Sequence, residues 1–198
     1  MTHSVQYDTA GPQDVFWLGL SFEHSSQTIL DAHRLRTRSP FQTGMSEHSA
    51  KILKAPPEII PTIVNMQFSV ELYLKCLIWL ETGAPIKSGH ALTKLFGLVS
   101  PSSQLRIKHH YQKFLATNIN QIRELDAASD DELEFDQAIK SCDDGFVKWR
   151  YAYEFGMGDG LHLAMYIGFG VRRTIVELKP DWDQLTDNLR IPMHRISQ

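Results

Sequence analysis

Residues 69–96 read SVELYLKCLIWLETGAPIKSGHALTKLF. Nine of the twelve residues from Ser69 to Leu80 are apolar, yet Glu71 and Lys75 sit among them. The pattern predicts a helix over 58–81, with Pro61 tolerated in its first turn. Thr82-Gly83-Ala84-Pro85 closes it, with a glycine where a left-handed residue is favoured. A helix that is apolar on nearly every side is a buried helix. Side chains four residues apart share a face, so Gln67, Glu71 and Lys75 form one polar line. Glu before Lys at this spacing is the favourable order for an ion pair. Burying the pair has a desolvation cost that further partners must offset.

Working outward, the remaining segments also carry helical periodicity. Asp14 is placed to cap a helix that contains Phe16, Leu20, Ile29 and His33 and stops at Ser39-Pro40. A short helix is expected over 46–54, with Pro56-Pro57 after it. Another short helix follows His90, and Ser100-Pro101 opens one that continues to about Leu125. The stretch ELDAASDDELEFD from Glu124 carries seven acids and no bases, a solvated face or loop with a helix start at Asp130. Residues 132–140 read as helix, FVKWRYAYEF as a helix ended by GMGDG, and 161–178 as a last long helix stopped by Pro180. No alternating strand pattern repeats at regular spacing. The fold class expected is all-α, a helical bundle. It comprises a flexible N-terminus over 1–13, one domain over 14–180 and a surface tail over 181–198.

A chain of 198 residues can bury a sizeable core as one domain. Its net charge of −3 gives no global pull towards nucleic acid or anionic membrane, so any such contact must come from a local patch. Two cysteines, Cys76 and Cys142, make no disulfide framework. No signal segment follows Met1, and apolar runs are interrupted before membrane-spanning length. A cytoplasmic protein with no membrane association is expected.

The segment ELYLKCLIWLETGAPIKSGHALTKLF resembles the pattern of HEPN domains (higher eukaryotes and prokaryotes nucleotide-binding). These carry a helix with E-x-x-x-K, a turn, then G-H-x-L-x-x-L. RYAYE, containing Arg150 and Glu154, is similar to the R-Y-x-x-E segment of HEPN-like helical proteins. The resemblance spans roughly Ile59 to Arg172. It implies a HEPN-like bundle of antiparallel helix pairs, commonly homodimeric, and a link to RNA. Many members are metal-independent RNases, toxins or defence factors, and others are inactive binding modules. Active members carry Arg, four to six residues, then His. No arginine here has a histidine at that spacing, and Arg190 and His194 are one residue too close.

Two readings follow. The first is a homodimeric interaction module that acts with RNA or a partner protein, in a defence or toxin–antitoxin setting. The second is a divergent RNase in which Arg150 stabilises the phosphate charge, with His90 or Glu154 as general base. In either, Glu71, Lys75, His90, Arg150 and Glu154 are expected to gather as one polar cluster. The cluster either sets helix register or binds a ligand. Dimerisation is expected from the resemblance and from the apolar aromatic density around Trp149 and Tyr166.

Other constellations point to less. Gly156, Gly158 and Gly160 precede no Gly-Lys-Ser/Thr, so GMGDG reads as a helix connection with Asp159 as cap. Gly168 and Gly170 are expected to permit close helix approach. Nine histidines include no His-Glu-x-x-His and no pair four apart, so neither a metal nor a cofactor is expected. No Gly-x-Ser-x-Gly occurs. Asp143 and Asp144 beside Cys142 would raise its thiol pKa. Arg106, His109, His110 and Lys113 recur at helical steps and suggest a nucleic-acid-binding patch, with Arg34, Arg36, Arg38, Arg172 and Arg173 adding positive charge.

Overall fold

The computed structural model describes residues 10–37, 59–86, 88–126, 131, 133–143 and 161–184. Among them are six α-helices: α1 (Pro12–Thr37), α2 (Ile59–Thr82), α3 (Leu92–Leu98), α4 (Pro101–Asp126), α5 (Phe135–Ser141) and α6 (Leu161–Leu178). A 3-10 turn follows at Pro180–Trp182, and no described residue lies in a strand. The class is all-α, as the periodicity predicted. The expected helix over 46–54, the segment FVKWRYAYEF and the GMGDG connection lie outside the described residues.

The long helices pack in the order α1, α2, α6, α4. Helix α2 is the central element, flanked by α1 and α6. Phe16 meets Tyr73, Phe22 meets Phe68, and the Ser26 hydroxyl donates to the Thr62 carbonyl, so α1 and α2 run antiparallel. Helices α4 and α6 form a second antiparallel pair through Phe114 with Tyr166 and Phe169, and Gly170 with Ile107. The short α3 and α5 fill one end, where Phe135 packs on Phe96 and Tyr111.

Why α2 becomes the centre is visible in its side chains. Val70, Tyr73, Leu74, Cys76 and Leu77 have no solvent exposure and cover one broad face, and Leu72 and Ile78, 8% and 2% exposed, extend the buried surface to the other sides of the helix. By length and hydropathy, 60–82 could also cross a membrane, contrary to the sequence expectation that apolar runs are too interrupted. In the fold, 67% of that window is buried against the rest of the bundle, so its apolar surface is already occupied by protein. Gly83, at φ 76°, ends the helix in the left-handed conformation expected of it.

Two boundaries differ from expectation. Helix α1 begins at Pro12, whose missing N–H costs nothing in a first turn. Asp14 therefore sits inside that turn, and its carboxylate accepts from the Gly11 N–H at 2.7 Å instead of capping ahead of the helix. In the acidic run, α5 starts at Phe135 and not near Asp130 or residue 132, because burial of Phe135, Ala138 and Ile139 sets its first turn. At the other end, the start of the expected surface tail is packed: Trp182 lies half-buried on Phe16, ring centroids 5.3 Å apart. Tyr166 belongs to the chain's own core, 4% exposed against Phe114, and offers no surface to a second copy. Trp149 is outside the described residues.

Three glycines set the helix spacing. A Cβ on Gly170 would meet the Ile107 carbonyl oxygen at 2.8 Å, and one on Gly168 would meet Val70 at 3.3 Å, so both permit close approach as expected. A Cβ on Gly19 would come within 2.6 Å of the Tyr73 ring. Gly97 in α3 has open space around its Cβ position. Gly170→Ala is therefore expected to destabilise by about 1–3 kcal/mol through overpacking against backbone. Gly97→Ala is expected to stabilise by about 0.5–1 kcal/mol through helix propensity. Urea unfolding midpoints of the two variants check both signs.

Candidate functional site

The polar line of α2 points to the corner formed by α3 and the end of α5. Glu71 is 3% exposed, and one of its oxygens, Oε1, receives two partners. Lys75 Nζ donates to it from 2.7 Å, one helical turn away. His90 Nδ1 lies 3.0 Å from the same oxygen. The two partners differ in exposure: the Lys75 side chain is 18% exposed and that of His90 71%. The carboxylate is thus desolvated, the ammonium reaches the rim along its own apolar stem, and the imidazole lies across the outside.

The turn between α2 and α3 makes this geometry possible. Gly83 and Gly89 both take positive φ, 76° and 102°, which L side chains rarely adopt. The chain reverses and returns His90 to Glu71. With its Nδ1 held by a carboxylate, the ring either is the Nδ1–H tautomer or is protonated, and in both cases Nδ1–H is the donor.

Further along the line, Gln67 is 4% exposed. Its amide N–H donates to the Cys142 thiol, while its Oε1 has no hydrogen-bond partner among the described residues. One residue on, Asp143 replaces the missing cap of α3. The Asp143 Oδ1 accepts from the Thr93 N–H at 2.8 Å, and Oδ2 accepts from the Thr93 hydroxyl. Ala91, at the N-cap position, has no side chain that could do this. The long-range cap ties the end of α5 to the start of α3, beside the histidine turn.

Glu71, Lys75 and His90 therefore meet as expected, whereas Arg150 and Glu154 lie outside the described residues. The basic patch is brought together only in part. Arg106, His109 and Lys113 are exposed on α4, but His110 turns inward and its Nε2 sits 2.8 Å from Glu177 of α6. A step of one residue rotates a side chain by about 100° on a helix of 3.6 residues per turn. Neighbouring histidines thus face different surroundings. Among the described residues, no three His, Cys, Asp or Glu side chains are grouped to hold a metal ion.

One cluster was not legible from the sequence. Glu23 of α1 accepts from the Tyr73 hydroxyl of α2, and Arg172 Nε of α6 lies 3.3 Å from the same Glu23 oxygen, without hydrogen-bond alignment. Burial and the adjacent Glu23 charge push the Tyr73 pKa well above its usual value, so the hydroxyl stays a donor. The clamp joins three helices across α2. Glycine at position 19 was its nearest sequence signal, because it leaves room for the Tyr73 ring. Arg172, read as local positive charge, is thus engaged within the bundle.

The two thiols are both pushed up to about 12, chiefly by burial. For Cys142, the Asp143 charge adds to this, as the sequence predicted, while hydrogen bonds from Ser141 and Gln67 act the other way. Neither is an activated nucleophile. Comparison with protein-family models, with curated proteins and with solved structures gave no match.

Two outcomes are expected. Lys75→Met leaves a buried carboxylate without its cation and destabilises by about 1–3 kcal/mol, below the usual range for fully buried pairs because the lysine reaches the rim. The double change Glu71→Leu with Lys75→Met recovers most of that loss, and denaturant titration of the single and double variants checks it. Native protein at pH 8 keeps both thiols protonated, so their modification by an aromatic disulfide reagent proceeds only as the chain unfolds.

Proposed function

We propose that this chain is a HEPN-like helical interaction module that acts with RNA, in a defence or toxin–antitoxin setting, and that it lacks the usual RNase motif. The observation that supports this reading is the convergence of the two parts of the first resemblance pattern on one atom. Glu71 and Lys75 of E-x-x-x-K, and His90 of the Gly-His pair, share Glu71 Oε1. The arrangement leaves a lysine at the rim and an exposed imidazole above it. The ammonium is a hydrogen-bond donor towards a phosphate, and the imidazole becomes one at Nε2 when it is protonated. No arginine is followed by a histidine after four to six intervening residues, and this supports binding over cleavage.

A second reading, a divergent metal-independent RNase, draws on the same contact. A carboxylate that holds Nδ1 orients an imidazole for proton transfer at Nε2. Arg150 would then meet the phosphate charge, and Glu154 is the other candidate base.

A mixed labelled RNA separates the readings. Incubation without added metal is expected to leave the RNA intact. Fluorescence anisotropy is expected to show binding that weakens with salt, with His90→Ala lowering the salt slope by up to about one. Cleavage that disappears in Arg150→Ala or His90→Ala would establish the second reading instead. An absence of affinity at low salt would remove RNA from both.

A further inference from the structure

The outer face of α4 carries charge that no other described residue neutralises. No Asp or Glu occurs between Pro101 and Asn118. Arg106, His109 and Lys113 are exposed there, while the ion pairs of α4 among the described residues are those of Lys108 and His110. The acidic turn before α5 lies directly alongside. The Tyr111 hydroxyl donates to the Leu133 carbonyl, and Lys108 pairs with Asp136 at 2.8 Å, which fixes this turn against α4. Asp131 and Glu134 are exposed on it and have no ion-pair partner among the described residues. Leu105, beside Arg106, is 70% exposed, and Leu98 at the α3–α4 corner is 59% exposed. A basic lane and an acidic lane thus run side by side, with the two most exposed large apolar side chains among the described residues nearby.

We propose that this face binds a second copy of the chain. A closed pair must present the same patch twice. When the two-fold axis runs along α4, in the plane between the copies, rotation carries the basic lane of one copy onto the acidic lane of the other. The pair then has two complementary zones, with Leu105 available to the dry part of the contact. A two-fold axis across α4 would oppose like charges and is disfavoured. Single-stranded RNA fits the face less well. The acidic lane repels phosphate, and no exposed aromatic ring accompanies the bases of α4 over 101–118 for nucleobase stacking. The assignment stands on the charge pattern of α4 and α5 and does not rest on the HEPN-like reading.

Sedimentation velocity on the full chain at roughly 100 μM tests it. The wild type is expected to dimerise, more weakly as salt rises. Arg106→Glu with Lys113→Glu makes both lanes acidic. Asp131→Lys with Glu134→Lys makes both lanes basic. Each variant alone is expected to dimerise at least about tenfold more weakly, and a one-to-one mixture of the two is expected to form a heterodimer. All four substituted positions are exposed, and unchanged urea midpoints will show that the fold is retained. A monomeric wild type, dimerisation indifferent to both reversals, or a mixture that stays monomeric would overturn the proposal. RNA binding by a monomeric wild type that is lost on reversal of Arg106 and Lys113 would assign the face to RNA.

Discussion

A carboxylate buried in the central helix is the constraint on which this structure turns. Helix α2 is apolar almost all round because both flanks and one end are covered by other helices. Glu71 has no direct access to water, so its charge must be met inside the protein. Lys75 meets it along the helix. His90 meets it from outside the helix and can do so only if the chain reverses sharply after Thr82. The two left-handed glycines, Gly83 and Gly89, provide that reversal. Placement of His90 in turn sets where α3 begins. Helix α3 is only seven residues long, and its first turn is closed by Asp143, 50 residues further along the chain from Thr93. One desolvated charge thereby organises the α2–α3 turn, the short helices and the end of α5.

The same helix carries a second polar contact of different character. The Glu23–Tyr73–Arg172 clamp joins α1, α2 and α6, and its carboxylate is only partly desolvated. It locks three helices in relative position and keeps a tyrosine protonated. The Glu71 cluster instead ends in a largely exposed imidazole. A polar cluster with an exposed imidazole at its tip can act on something outside the protein, and a clamp between helices cannot. This difference in exposure is why the functional reading is attached to Glu71, Lys75 and His90.

Local punctuation made most helix boundaries readable. Gly83 with Pro85, Ser100-Pro101 and Pro180 each limit a helix by backbone geometry that no tertiary contact needs to supply. The acidic run was harder to read. Solvated charges have no strong preference for a helical start, so burial of Phe135 decided where α5 begins. Asp14 misled because a carboxylate in the first turn can also satisfy a donor behind it. Three of the four bases read on α4 share the exposed face: spacing groups side chains by face, but only the packed neighbour reveals that His110 is turned to Glu177.

Sequence alone determined the all-α class, the central burial of α2, the polar line through Gln67, Glu71 and Lys75, and the close approach at Gly168 and Gly170. These follow from periodicity, from fixed helical geometry and from side-chain size, all of which are local. Tertiary structure alone decided that Asp143 caps α3 and that Glu23, Tyr73 and Arg172 meet. It also decided that Tyr166 is core and that the basic lane of α4 lies beside an acidic one. Each depends on which helices become neighbours. That choice is made by the sum of many apolar contacts across the bundle, and no short stretch of sequence carries it.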